Sequence, residues 1–155
     1  AIEINNQQQR LLATKLIDHY DGNIAGKTFA LWGLAFKPNT DDIREAPALV
    51  IIDQLLEAGA KVVAYDPEAA DNVRRLYSDT EGLKVVDNKY SALSGSDALL
   101  LTTEWAEFAD IDLSKVSGLL KEPVVFDGRN VYKPEIMQKA GFTYYSIGRR
   151  PVISS

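Results

Sequence analysis

The sequence predicts an α/β fold, a doubly wound parallel sheet preceded by one extra N-terminal helix, on three observations. Short apolar runs recur at TFALWGLAF (28–36), KVVAYDP (61–67), KVV (84–86), DALLLTT (97–103), PVVFDGR (123–129) and TYYSIGR (143–149). Runs of this kind suit strands buried on both faces. Stretches of helical spacing separate them, and such alternation implies a parallel, Rossmann-like sheet, because parallel neighbours need right-handed crossovers. A further helical stripe stands ahead of the first run.

That stripe is Ile4, Leu11, Leu12, Leu16, Ile17 and Tyr20, and Asp21-Gly22 is its C-terminal stop. After the first strand, residues 37–44 break the pattern. Pro47 then suits the first turn of a helix whose buried face is Ala48, Leu49, Ile52, Leu55 and Leu56, and Gly59 ends it. Residues 68–77 form the next helix and 88–94 a brief one. Residues 104–120 are loosely amphipathic, and KPEIMQKAG (133–141) is the last helix. The first helix starts almost at residue 1, so it reads as the end of something longer. The expected division is residues 1–22 as the end of a central helix and 23–155 as the α/β domain.

The 155 residues are 46% hydrophobic and 25% charged, values ordinary for one globular domain. A net charge of −5 argues against nucleic acid or an anionic membrane as partner, since both reward a broad basic face. No apolar run approaches the roughly 18–20 residues a membrane-spanning helix needs. The cytoplasm is the expected location. With no cysteine and one histidine, a thiolate nucleophile is excluded and a metal site is not expected.

Ligands of open α/β sheets bind beyond the carboxyl ends of the strands, where the strand order reverses. FKPNTDDIR (36–44) and DGRN (127–130) leave two such ends, and they bring Lys37, Arg44 and Arg129 to one edge. Three cations and a helix N-terminus gathered there by an acidic chain suit a phosphate-bearing ligand. The same residues also admit a plainer reading: Lys37 and Arg44 as loop ion pairs with Asp41, Asp42 and Glu45, and Arg129 as a structural tie between loops. The GxGxxG dinucleotide turn is absent, because only Gly33 precedes a longer loop. Asp66 stands where a ribose-binding acid would, but Asp66-Pro67 equally starts a helix. His19 suits the end of its helix, and Trp32 suits the core. Trp105 and Phe108 either line a crevice or cap the core, and Tyr144 and Tyr145 point to opposite faces of the last strand.

GLAFKPNTDDIREAP (33–47), followed in order by YDP (65–67), TEWAEF (103–108) and DGRN (127–130), resembles the C-terminal domain of the UDP-glucose/GDP-mannose dehydrogenase family. The resemblance runs over essentially the whole chain. It implies a domain that holds the UDP moiety of a UDP-glucose-like nucleotide sugar and closes over an active site. The family oxidises the sugar C6 hydroxyl to a carboxylate in two NAD-dependent steps. NAD is carried mainly by an N-terminal domain, and the catalytic cysteine with its lysine and aspartate helpers by a central helical region. By the same resemblance Phe36, Lys37 and Arg129 meet the substrate, Arg44 reaches the NAD held by the other domain, and the first helix ends the central helix of a homodimer.

This chain departs from that pattern in lacking any cysteine and any NAD fingerprint, so alone it is expected to be inactive, with no catalytic residue of its own. Three alternatives remain: the matching domain of a UDP-N-acetylmannosamine or GDP-mannose dehydrogenase, a free-standing nucleotide-binding or assembly module, and a small independent α/β enzyme. An exposed stripe on the first helix would mark a surface made for a missing domain.

Overall fold

The computed structural model describes residues 2–35, 37–44 and 46–154, with the side chains of the first helix described from Arg10 onward. Six strands form one all-parallel sheet: β1 (Thr28–Trp32), β2 (Lys61–Tyr65), β3 (Leu83–Val85), β4 (Ala98–Leu101), β5 (Val124–Asp127) and β6 (Thr143–Ser146), in the order β3-β2-β1-β4-β5-β6. Helices α1 (Ile2–His19), α2 (Pro47–Glu57), α3 (Ala70–Leu76), α4 (Lys89–Leu93), α5 (Ala106–Ala109), α6 (Leu113–Leu119) and α7 (Pro134–Lys139) accompany it. The predicted doubly wound sheet is present. Most expected strands are shorter than their apolar runs; β1 stops at Trp32, and Gly33, Leu34 and Ala35 are already loop.

Strand side chains alternate between faces, so each run feeds two cores. Phe29, Leu31, Val62, Ala64, Leu100 and Phe126 pack with α1, α2 and α3. Ala30, Trp32, Leu99, Leu101, Val125 and Tyr144 pack with α4, α5, α6 and α7. Every residue of β4 and β5 is buried, which is why these strands read as continuous apolar runs.

The same winding explains the extra helix. Right-handed crossovers run outward from β1 in two directions, so α2 and α3 cover one face on the β1–β3 side, while α5, α6 and α7 cover the other face beneath β4, β5 and β6. Without α1 the first face would be bare over β5 and β6. Leu12, Ala13 and Leu16 of α1 are fully buried there, His19 meets the rings of Phe126 and Tyr145 edge-on, and Lys15 Nζ donates to the Ser146 carbonyl at 2.7 Å. The described stripe of α1 is therefore mostly internal, with Leu11 the exception at 47% exposed. By packing, residues 10–22 join the same core as the sheet.

After β6 the chain turns back, and Tyr144 and Val152 exchange backbone hydrogen bonds at 2.8 and 2.9 Å. This antiparallel bridge covers an otherwise open sheet edge.

If α1 completes the core, Leu16→Ala should destabilise the chain by about 2–5 kcal/mol in urea unfolding. A loss below about 1 kcal/mol would mean that the helix is only loosely attached.

Candidate functional site

Parallel strands place the loops after β1, β4 and β5 on one edge of the sheet, and the order reverses between β1 and β4. The loop after β1 is fixed before it leaves that edge. Gly33 has φ +101° and donates its N–H to the Tyr65 carbonyl at 2.8 Å. Thr102 Oγ1 donates to the Gly33 carbonyl at 2.6 Å, and Thr103 Oγ1 donates to that of Ala35 at 3.2 Å. From the other side, Asp66 Oδ2 accepts the Leu34 and Ala35 amides at 2.7 and 3.3 Å, while its Oδ1 accepts those of Glu68 and Ala69, both at 2.8 Å.

Asp66 is thus buried with four amide donors, and its carboxylate ties the end of β1 to the turn before α3. Of the two readings of Asp66, the helix-start role is the one present, extended by the clamp on β1. Gly33 has no room for a side chain: a Cβ there would lie 2.6 Å from Thr103 Oγ1 and 2.7 Å from its Cβ. It marks where the ends of the parallel neighbours β1 and β4 approach most closely.

Beyond this clamp, Lys37 is exposed and has no charged partner among the described residues. Phe36 lies outside the described residues. Arg44 grips Asp42 with two donors, Nε to Oδ1 at 3.0 Å and Nη2 to Oδ2 at 2.9 Å, and its own amide adds a third bond at 2.9 Å. That side chain is 88% exposed, so the pair is the loop ion pair of the plainer reading. The guanidinium, then the Arg44 amide, hold the Asp42 carboxyl down at about 2.

Arg129 sits in a more constrained setting. Asp127, fully buried at the end of β5, accepts the Arg129 amide on Oδ1 at 3.0 Å. Its Oδ2 accepts the Tyr132 amide at 3.0 Å and the Tyr144 hydroxyl at 2.6 Å. Burial, then Asp127, push both phenols well above the ordinary tyrosine range. Arg149 donates through Nη2 to the Tyr144 hydroxyl and the Tyr132 carbonyl, and through Nε to Ser146 Oγ. Asn130, at φ +53°, exchanges side-chain bonds with both backbone groups of Ile147 at 2.9 Å. The Arg129 side chain itself is half-buried, with Nε donated to Glu104 Oε2.

The structure therefore brings Lys37 and Arg129 to one edge, on either side of the β4 end. Sequence reasoning did not single out Glu104, Asp127, Thr102 or Thr103. Their signal is positional: Thr102, Thr103 and Glu104 directly follow the fully buried β4, and Asp127 ends the fully buried β5.

The remaining candidates fall elsewhere. His19 lines a cavity of about 610 Å³ with Tyr20, Lys27, Asp97 and Lys121 at the opposite, amino-end edge, and its Nδ1 meets the Tyr145 hydroxyl at 2.8 Å. Trp32 is core, donating Nε1 to the Lys89 carbonyl, and Phe108 stacks on it at 5.2 Å, which is the core-capping role. Among the described residues no acidic, histidine or cysteine cluster could hold a metal, and no helix is long and apolar enough to cross a membrane.

Residues 30–134 match the model of the UDP-glucose/GDP-mannose dehydrogenase family, UDP binding domain. The chain belongs to that family. It is 44% identical over 153 residues to a UDP-glucose 6-dehydrogenase of Pseudomonas aeruginosa, covering 96% of this chain and 34% of the relative. It is 40% identical over 154 residues to one of Bacillus subtilis, covering 99% and 34%. A UDP-glucose dehydrogenase structure from Pyrobaculum islandicum superposes with a TM-score of 0.73 at 29% identity, over 92% of this chain and 30% of that one. The fold is shared with an NDP-N-acetyl-D-galactosaminuronic acid dehydrogenase from Methanosarcina mazei, TM-score 0.76 at 24% identity, over 94% and 29%. The chain spans about a third of the length of the curated relatives it matches.

Within this family the domain is named for UDP, and its β1 turn does not fit a dinucleotide. The pyrophosphate-cradling glycine turn is replaced by the close approach of Gly33 to Thr103, and Asp66 has both oxygens committed to backbone amides, leaving it poorly placed to receive a ribose. No step involving NAD is derived for these residues.

Because Arg44 causes the Asp42 shift, carbon-detected NMR should show an Asp42 midpoint near 2, moving up toward the ordinary aspartate value in Arg44→Ala. A folded-state value below the unfolded one means the pairing is present above the unfolded midpoint and is lost as pH falls through 2. An unchanged midpoint in Arg44→Ala would show that the pair is not formed in solution.

Proposed function

We propose that this chain is the UDP-sugar-binding domain of an NAD-dependent UDP-glucose 6-dehydrogenase, in which it grips the UDP moiety and closes over the active site. The observation that carries the reading is the pair of cations at the carboxyl edge: Lys37 without a charged partner among the described residues, and Arg129 with its backbone locked and no partner for either Nη group among them. Arginine's planar fork suits a phosphate or sugar hydroxyl, and a lysine supplies a point charge to a diphosphate. Phe36 and Lys37 meet the substrate from the β1 loop, and Arg129 meets it from the β5 loop. Arg44 reaches NAD on another domain.

Identity of 40–44% to UDP-glucose 6-dehydrogenases favours a glucose over a mannosamine or guanosine substrate. The reading places residues 1–22 at the end of a longer central helix of a cytoplasmic homodimer. It assigns the cysteine chemistry and the NAD site to the remaining domains, since this chain has no thiol to offer. The internal packing of α1 is what favours the second reading, a free-standing binding module.

Calorimetric titration tests the site. UDP and UDP-glucose should bind saturably and GDP and NAD should not, and Lys37→Ala and Arg129→Ala should each weaken binding about tenfold or more. Absence of uridine-nucleotide binding, or binding indifferent to both substitutions, would overturn the site. The purified chain should also fail to reduce NAD with UDP-glucose, and turnover by this chain would refute the division of labour.

A further inference from the structure

We infer that Glu104 is a positioning residue for Arg129, presetting the guanidinium so that its Nη1 and Nη2 edge faces the ligand. The inference rests on the binding role proposed for Arg129. Glu104 follows Thr102 and Thr103, whose hydroxyls are bonded to the Gly33 and Ala35 carbonyls, so its backbone is fixed to the end of β1. Arg129 is fixed at its own backbone by Asp127. What remains free is the long arginine side chain, with its many rotamers. Glu104 Oε2 accepts Nε, which removes most of that freedom and occupies one edge of the fork. The Nη1 and Nη2 groups have no partner among the described residues. One short segment, 102–104, thereby ties the loop that carries Lys37 to the arginine two strands away.

The sign of the effect separates positioning from simple charge. A carboxylate beside a diphosphate site repels the ligand, so if charge alone mattered, removing Glu104 would tighten binding. Positioning predicts the reverse, because a released Arg129 must be ordered again by the ligand.

The test is a double-mutant cycle on UDP affinity in the purified chain, with thermal unfolding as a check on folding. Glu104→Ala should weaken UDP binding about fivefold or more, and Glu104→Gln, which keeps an oxygen for Nε, should weaken it less. In the Arg129→Ala background, Glu104→Ala should cost nothing further or slightly tighten binding. If Arg129→Ala weakens binding while Glu104→Ala is neutral or tightens it, the positioning role is wrong and the site stands. Equal losses from Glu104→Ala in both backgrounds would also refute it, since the effect would not pass through Arg129. If Arg129→Ala leaves UDP affinity unchanged, the site itself fails, and with it this inference.

Discussion

The site depends on how the chain leaves β1. A parallel strand buried on both faces delivers its last residues into the crowded middle of the sheet edge, where carbonyls and amides need partners. Here they are met from both neighbours. Asp66 at the end of β2 takes the amides of Leu34 and Ala35, and Thr102 and Thr103 at the end of β4 take the carbonyls of Gly33 and Ala35. Once those bonds are made, Gly33 lies so close to Thr103 that no side chain fits there. The loop begins rigidly and then runs on to Ala46, carrying its cations out from the edge. A single clamp thus leaves the cations of this edge on side chains of two loops, Lys37 and Arg44 after β1 and Arg129 after β5.

A second constraint comes from topology. Two directions of right-handed winding cover the two faces unequally, and the uncovered half-face over β5 and β6 must be closed by an element from outside the βαβ series. Helix α1 does this with Leu12, Ala13 and Leu16, and its Lys15 reaches the end of β6. Exposure of an apolar stripe was a reasonable sign of a missing domain, but a helix can serve its own sheet and still continue a longer element. Leu16 packs internally while Leu11 of the same helix is 47% exposed.

What was legible in the sequence follows the same physics. Strands buried on both faces announce themselves as apolar runs, so DALLL and VVF were unambiguous, and the helices between them fixed the sheet as parallel. Boundaries were less legible, because GLAF is as apolar as a strand yet is held as a loop by side chains distant in sequence. Lys37 and Arg129 were visible as cations next to strand ends. Glu104 was not, since an acid near a phosphate site looks unfavourable until its arginine partner is known. Asp127 was hidden for a related reason: nothing local says that its carboxylate will meet Tyr144 and two amides.

The distribution of titratable groups sets what this edge can do. The single histidine sits at the amino-end edge against Tyr145, and the phenols of Tyr65, Tyr132 and Tyr144 are driven upward by burial and by neighbouring carboxylates. General acid–base catalysis works best with a group poised near the operating pH, and the one histidine of the sequence lies at the other edge. The two arginines of the β5–β6 end divide accordingly. Arg149 spends its donors on Tyr132, Tyr144 and Ser146 and is structural. Arg129 spends one on Glu104, and its Nη groups have no partner among the described residues. A fixed cation with unused donors in a rigid frame is suited to bind and orient an anion. Such a group is suited to hold charge in place and not to relay protons.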